Sequence, residues 1–336
     1  MSTTVKKRIL PLLIIIVMLM ASLASVLYFL PNRFTKHPEL VVVVVEKDMT
    51  GSEIGDVLYE KQLVRSSLLF RVALRATGTM DKLQHGYYQL PDNASLYEII
   101  GLLQKGHLQT VKVTIPEGFT IQQIADELAR DGLVRKENFL AEAKTYVPYV
   151  YMYGPEKVDY RVEGFLFPST YEIPVKSTAK DILAMMAKEM NTQLTPAMRK
   201  EIEAQHMTIF EFITLASLVE KEAKFDEDRP IIAAVFKRRL AVGMPLQSCA
   251  SIQYILGYPK PLLSVEDTKI PSPYNTYINK GLPPGPIANP GKKSMEAVLY
   301  APPTEYLFFV ADAEGHHIFS KTYEEHLKAV EKIYGN

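Results

Sequence analysis

This chain of 336 residues has one cysteine, Cys249, and no tryptophan. A single cysteine excludes an intrachain disulfide framework and any zinc site built on cysteines. Charge of one sign is missing as well: 38 basic residues balance 38 acidic ones. The chain as a whole therefore lacks the electrostatic footprint of a nucleic-acid binder, and no nucleic-acid partner is expected. Only one long apolar run is present, so the sequence offers one membrane crossing. The rest, with hydrophobic 47% and charged 23%, is globular in composition and long enough for two domains.

The apolar run lies at the N-terminus. Lys6, Lys7 and Arg8 precede an uncharged stretch from Ile9 to Pro31, enough to span about 30 Å of hydrocarbon as a helix. The basic residues belong in the cytoplasm, which places the body on the outer side. Ala21, Ser22, Ala24 and Ser25 would suit a cleavable signal peptide, but the run continues through Val26 to Leu30 past any such site. The expectation is an uncleaved anchor over 9–31 with residues 1–8 cytoplasmic.

An internal repeat follows at an offset of 70 residues. Val45, Thr50, Ile54, Asp56, Leu58, Leu63, Val64 and Arg65 recur as Ile115, Thr120, Ile124, Asp126, Leu128, Leu133, Val134 and Arg135. Each copy reads as a β-branched strand, Val41 to Val45 or Val111 to Ile115. A polar turn with a threonine cap and an amphipathic helix follow. Such a module is either a spacer from the membrane or a small glycan-binding unit resembling LysM domains, although aromatics for sugar stacking are confined to Tyr87 and Tyr88.

Thr208 to Lys224 predicts a helix that carries carboxylates beside an apolar face. Thr208 and Glu211 form a capping box, and Phe212, Leu215, Ala216, Val219 and Ala223 fall on one stripe. Glu220 lies at its margin, in the row of Ile209, Ile213 and Ala216, where withdrawal from water would favour a protonated carboxyl suited to general acid work. Glu222 occupies the opposite margin, and helix geometry does not choose between them. Solvated flanks of an amphipathic helix would give the same pattern.

Tyr160 to Pro174 combines Glu163, Gly164, Pro168, Ser169 and Tyr171, the vocabulary of a binding loop as well as of a packed one. Asp226 or Asp228 is expected to cap a further helix with Pro230 in its first turn and Gly243 at its end, Arg238 and Arg239 lying on its solvated face. Pro271 to Gly291 holds too much proline and glycine for helix or central strand. It predicts a rigid loop presenting Tyr274, Asn275, Thr276 and Tyr277. A hairpin turning at Asp312 to Gly315 and a helix capped by Thr322 and Glu325 finish the chain. His316, His317 and His326 lack any ligand spacing, so no metal is expected, while His317 remains a candidate to line a cleft.

LASLVEKEAK, EGFLFPSTYEIP, LQSCASIQYILG, PYNTYINKGLPPGPIANPG and YLFFVADAEGHHIFS with EEHL together resemble the endolytic murein transglycosylases of the MltG (YceG-like) family. The resemblance runs in family order through the whole chain after the anchor. It implies a single-pass inner-membrane protein with a periplasmic body that cuts peptidoglycan strands between N-acetylmuramic acid and N-acetylglucosamine. The products would end in 1,6-anhydro-muramic acid, strand elongation would stop, and peptidoglycan synthases would be partners. It names the first glutamate of VEKE, Glu220, as catalytic and calls for no cofactor. Glu163, Gln247, Tyr274, Asn275, Thr276, Tyr277 and His317 are the candidate substrate-binding residues. The implied fold class is α+β: a transmembrane helix, a LysM-like α/β module over 38–155, and a mixed helical and β catalytic domain over 156–336.

One departure stands out: the family commonly has LQTDPT where this chain has Leu246 to Ser251, so Cys249 replaces an aspartate. A nucleophilic role for Cys249 would need histidine and asparagine partners that no motif supplies. Two rival functions survive at this point. A conventional muramidase would use Glu163 as second carboxylate, and a wall-binding scaffold would not cleave at all.

Overall fold

The computed structural model describes residues 18, 22, 26–32, 34, 38–106, 110–154, 158–175, 177–260 and 262–335. Most of the expected anchor, Ile9 to Pro31, lies outside these residues. Among the described residues no helix is long and apolar enough to cross a membrane. The chain is α+β and divides into two compact units. One runs through Val111 and includes Ile173–Val175; the other comprises Lys112–Glu172 and Lys176 onward.

The first unit is built on β1 (Leu40–Val45), α1 (Gly51–Glu60), α2 (Ser67–Thr77), β2 (Gly86–Pro91) and α3 (Leu96–Lys105). β1 and β2 pair antiparallel, from Leu40 opposite Pro91 to Val45 opposite Gly86. The valine run alternates as a one-faced strand must: Val43 and Val45 are buried, while Val42 and Val44 are half-exposed. Thr50 starts α1 through a capping box, its hydroxyl accepting the Glu53 N–H at 3.3 Å and its own N–H donating to Glu53 Oε2 at 2.6 Å. Ile54 and Leu58 then bury against Phe70, Leu74, Leu90 and Leu103. Each fully buried side chain of this size stabilises by about 2 kcal/mol.

The second copy repeats this construction. β3 (Thr110–Thr114) pairs with β4 (Thr170–Pro174), and α4 (Ile121–Arg130) and α5 (Lys136–Ala143) lie between them in sequence. Thr120 and Gln123 form the capping box. Beyond the helix, the Leu133 N–H donates to Leu128 O at 3.0 Å, as the Leu63 N–H does to Leu58 O at 2.8 Å. The repeat is therefore a repeat of turn chemistry as well as of letters.

The remaining helices of the second unit are α6 (Ala179–Gln193), α7 (Pro196–Ala204), α8 (Ile209–Glu222), α9 (Arg229–Ala241), α10 (Cys249–Leu256) and α11 (Lys292–Leu299). The hairpin of β5 (Phe308–Ala311) and β6 (His317–Ser320) and the helix α12 (Tyr323–Tyr334) follow. α8 opens on the expected capping box, but it is not an amphipathic flank. Every residue from Phe212 to Val219 is buried, because α7, α9, α10 and α11 all pack against it. Its polar residues are satisfied within the helix: Thr214 donates to Phe210 O at 2.8 Å and Ser217 to Thr214 O at 2.7 Å.

α9 departs from expectation in two ways. Asp228 occupies the N-cap position, but its side chain makes no capping hydrogen bond; Asp226 accepts from Arg229 Nε at 3.2 Å, and Asp228 accepts the His317 N–H at 2.9 Å. Arg238 is exposed as read, but Arg239 is buried. Its guanidinium serves backbone carbonyls of loop segments, Leu246 O at 2.7 Å and Leu307 O at 2.6 Å, which a solvated face would not require. The loop from Pro271 to Gly291 forms neither helix nor strand, as its composition demands.

Candidate active site

Glu220 lies in the last turn of α8, just past the wholly buried stretch. Its side chain is 5% exposed. Oε1 accepts from Arg229 Nη1 at 3.2 Å, and Oε2 accepts the Gly291 N–H at 3.0 Å. Arg229, the first residue of α9, also donates to Ser294 Oγ at 2.6 Å. The apolar row inferred from helix spacing is real along α8, but the carboxyl itself reaches beyond it to a guanidinium and a backbone N–H. That is a correction to the sequence reading, and its cause is the position of Glu220 at the helix end.

Gly291 is a close-approach glycine. A Cβ built there would lie 1.9 Å from Glu117 Oε1, so only glycine lets that carboxyl come against the strap that holds Glu220. Glu117 is raised above the ordinary carboxylate range, first by partial burial and then by the charge of Glu220. Its neighbour Gly118 lies against the Glu220 side chain, 3.5 Å from Cγ to a Cβ position, and its carbonyl accepts from Lys221 Nζ at 3.2 Å.

Lys221 also lines a cleft of about 780 Å³ whose walls include Glu163, Tyr160, Tyr254, Tyr258 and Tyr274. Such a surface of hydroxyl-bearing rings suits a polar ligand with apolar faces. Glu163 sits at its floor, 3% exposed. Burial pushes its carboxyl up to about 8, against hydrogen bonds from the Ile121 N–H and the Tyr254 hydroxyl that pull it down. The Ile121 N–H belongs to the first turn of α4, where unpaired backbone donors await an acceptor. Asn289 completes the set: Nδ2 donates to Glu163 Oε1 at 3.3 Å and Oδ1 accepts the Leu166 N–H at 2.9 Å. Tyr254 and Tyr274 pack with ring centroids 5.0 Å apart, both hydroxyls held protonated by burial.

The site thus holds a buried glutamate fixed by an arginine and a glycine N–H, and the residue after it lines a cleft of tyrosines. The YceG-like family model matches residues 43–332. This chain belongs to the YceG-like family. A Bacillus subtilis protein named endolytic murein transglycosylase is 34% identical over 294 residues, covering 84% of this chain and 81% of that protein. A Streptococcus pneumoniae protein of the same name is 34% identical over 315 residues, and the chain spans 57% of its length. The crystal structure of a yceG-like protein from Listeria monocytogenes, 33% identical, superposes with a TM-score of 0.60 over 87% of this chain and all of that one.

The other candidate residues of this YceG-like chain fall into separate groups. Tyr274 joins Glu163 in the cleft. Asn275 and Thr276 are buried and serve the loop itself: Asn275 Nδ2 donates to Thr268 O and Ile270 O at 3.0 and 2.8 Å, and Thr276 Oγ1 accepts the Ser248 N–H at 2.9 Å. Tyr277 lies with Cys249, hydroxyl to Sγ at 3.1 Å. Crowding by protein pushes that thiol up to about 11, with the charge of Glu222 adding to the effect, even though part of its surface reaches solvent. Glu222 accepts from Ser248 Oγ and from the Ala250 N–H. Gln247 is exposed with a positive φ of 50°, and its N–H donates to Thr276 O at 3.0 Å. His317 is turned to Asp228, Nδ1 to Oδ2 at 2.9 Å, with its side chain 4% exposed.

Arg229, Ser294, Gly291 and Glu117 were missed as site residues in the sequence. The first three gain meaning only through contacts across 9, 65 and 71 residues of chain. Glu117 did leave a signal, since the turn of the second repeat copy departs from that of the first.

Proposed function

We propose that this protein is a lytic transglycosylase that cuts peptidoglycan glycan strands internally, with Glu220 as the acid that starts the reaction. The observation that carries the site assignment is Glu220 itself, withdrawn from solvent and clamped from both oxygens, with the next residue, Lys221, lining the cleft of tyrosines. The relatives named endolytic murein transglycosylase support the reaction class, and the matching VEKE motif supports Glu220 over Glu222.

In this reading the strand lies across the cleft, with the exposed Tyr258 ring packing on a sugar face and Tyr274 and Tyr254 forming the wall behind it. Glu220 gives its proton to the oxygen between N-acetylmuramic acid and N-acetylglucosamine while the C6 hydroxyl of the muramyl ring attacks C1. The C1–O4 bond breaks, the C1–O6 bond forms, and the hydroxyl proton must pass to a carboxylate. No water enters, so the new end is a 1,6-anhydro ring. The Glu220 carboxylate left behind is held by Arg229 and the Gly291 N–H, which stabilise charge where it develops. Glu163 braces the α4 N-terminus and the Asn289 strap around this centre, and Gln247, Asn275, Thr276 and Tyr277 shape the neighbouring loop wall. His317, tied to Asp228, steadies β6 against α9.

The same proposal keeps the chain anchored in the inner membrane by residues 9–31, with its body in the periplasm and its cuts terminating nascent strands made by peptidoglycan synthases. The order of elements from β1 to β2, strand, helix, helix, strand, is that of small LysM-like modules and supports contact with glycan. The reading of Glu220 is tested by strand cleavage with Glu220→Gln and Glu222→Gln variants. Glu220→Gln is expected to lose at least about 100-fold in rate, with Glu222→Gln keeping most activity; the reverse order would reject it. Fractionation of cells expressing the chain tests the anchor, which requires that alkaline washing leave the protein in the membrane pellet.

A further inference from the structure

The two copies of the repeat share their helix caps and buried leucines but not their turns. Where the first copy has Glu46, Lys47 and Asp48, the second has Pro116, Glu117 and Gly118. Gly118 has a φ of +75°, a conformation that costs an aspartate more than a glycine. This altered turn is the part of the second copy that meets the end of α8: Gly118 lies against Glu220, and Glu117 lies against Gly291. One glycine thus separates two carboxyl groups, Glu117 at its Cα and Glu220 at its N–H.

The two carboxyls are not equivalent. Glu220 is clamped by Arg229 and Gly291, and its side chain is almost closed off. Glu117 is exposed and accepts no hydrogen bond from any described residue. The charged groups around it are Glu220 on α8, Asp226 and Arg229 at the start of α9, and Lys293 on α11. Asp226 is already taken by Arg229 and Lys293. Among the carboxyls grouped around Arg229, Glu117 is the one whose oxygens remain available to a substrate hydroxyl.

We propose that Glu117, supplied by the second repeat copy, is the base of the reaction, accepting the C6 hydroxyl proton while the neighbouring Glu220 acts as the acid. This rests on the lytic transglycosylase reading and divides its single-carboxyl scheme into two roles. The balance is complete: Glu220 loses a proton to the leaving oxygen, O6 closes on C1, Glu117 gains the O6 proton, and that proton returns to Glu220 past Gly291 before the next turnover. A base needs an open carboxylate, and the exposed Glu117 is the carboxyl here whose oxygens are not already taken by a described donor, while both oxygens of Glu220 are occupied. The second copy is then part of the catalytic centre and not a spacer.

The test is single-turnover cleavage of purified glycan strands across pH by the full-length chain in detergent, comparing wild type, Glu117→Gln, Glu117→Asp and Glu220→Gln. Glu117→Gln is expected to cleave about 100-fold more slowly with unchanged strand affinity, and to lose the fall in rate that wild type shows toward acid pH. Glu117→Asp, which keeps the carboxylate one methylene further back, is expected to recover part of the rate together with the acid fall. A Glu117→Gln enzyme whose pH dependence matches wild type would overturn the proposal, as would a Glu117→Asp enzyme no faster than Glu117→Gln. If Glu220→Gln cleaves like wild type, the transglycosylase site assignment fails instead, whatever Glu117 does.

Discussion

Arg229 Nη1 lies 3.2 Å from Glu220 Oε1, and both side chains are nearly closed to solvent, at 10% and 5% exposure. The pair joins the end of α8 to the start of α9, and the same guanidinium nitrogen reaches Ser294 on α11. Three helices therefore converge on one carboxyl group, which fixes its position more tightly than a helix end alone could.

Removing the arginine leaves a buried carboxyl without its cation. Arg229→Met is expected to lower stability by about 3 kcal/mol, measured by urea unfolding near neutral pH. In the Glu220→Gln background the same substitution is expected to cost much less, because no charge is left stranded. Equal losses in both backgrounds would mean that the ion pair does not couple the helices.

Gly291 sits between Glu117 and Glu220, with 1.9 Å between a prospective Cβ and Glu117 Oε1. Gly291→Ala is expected to push the Glu117 side chain aside and reduce single-turnover cleavage by about 100-fold, with the far-ultraviolet circular dichroism unchanged. Wild-type activity in this variant would show that the position of Glu117 is without consequence for the reaction.

The elements with local signals were legible in the sequence. Thr208 and Thr322 form the capping boxes their spacing announced, and Thr50 and Thr120, expected only as caps, form them too, because the whole interaction fits within four residues. The turn of the C-terminal hairpin is likewise local, with Asp312 Oδ1 accepting the N–H groups of Glu314, Gly315 and His316. The environment of Glu220 was not legible, since it is assembled by Arg229, Gly291 and Ser294 from separate segments. Periodicity also misjudged α8, where burial on all sides depends on how many helices surround it. Asp228 looked like a cap because caps are the commonest local use of aspartate at that point; a distant histidine, His317, took the carboxylate instead.

Glu163 makes stability depend on pH in an unusual direction. Burial raises its carboxyl from 4.5 to about 8, so between those values the folded state holds a proton that the unfolded chain has released. This contribution is full below the unfolded value and is lost as pH rises toward 8, at no more than about 1.4 kcal/mol per pH unit. Thermal melts of wild type and Glu163→Gln from pH 5 to 8 are expected to differ in slope, the variant losing this component of the decline. Parallel curves would place the titration elsewhere.

Cys249 is expected to be a poor nucleophile, since its thiol is pushed up to about 11. Alkylation by iodoacetamide at neutral pH should be slow compared with a free thiol, and Cys249→Ser should keep strand cleavage within about threefold of wild type. Loss of cleavage in Cys249→Ser would bring the thiol into the chemistry.

The central claim is the chemistry of the cut, and mass spectrometry of the products reads it directly. Glycan strands incubated with wild type are expected to give fragments lighter by one water than reducing ends, released from within strands and absent with Glu220→Gln. Fragments that carry reducing ends would make the protein a hydrolase and contradict the account.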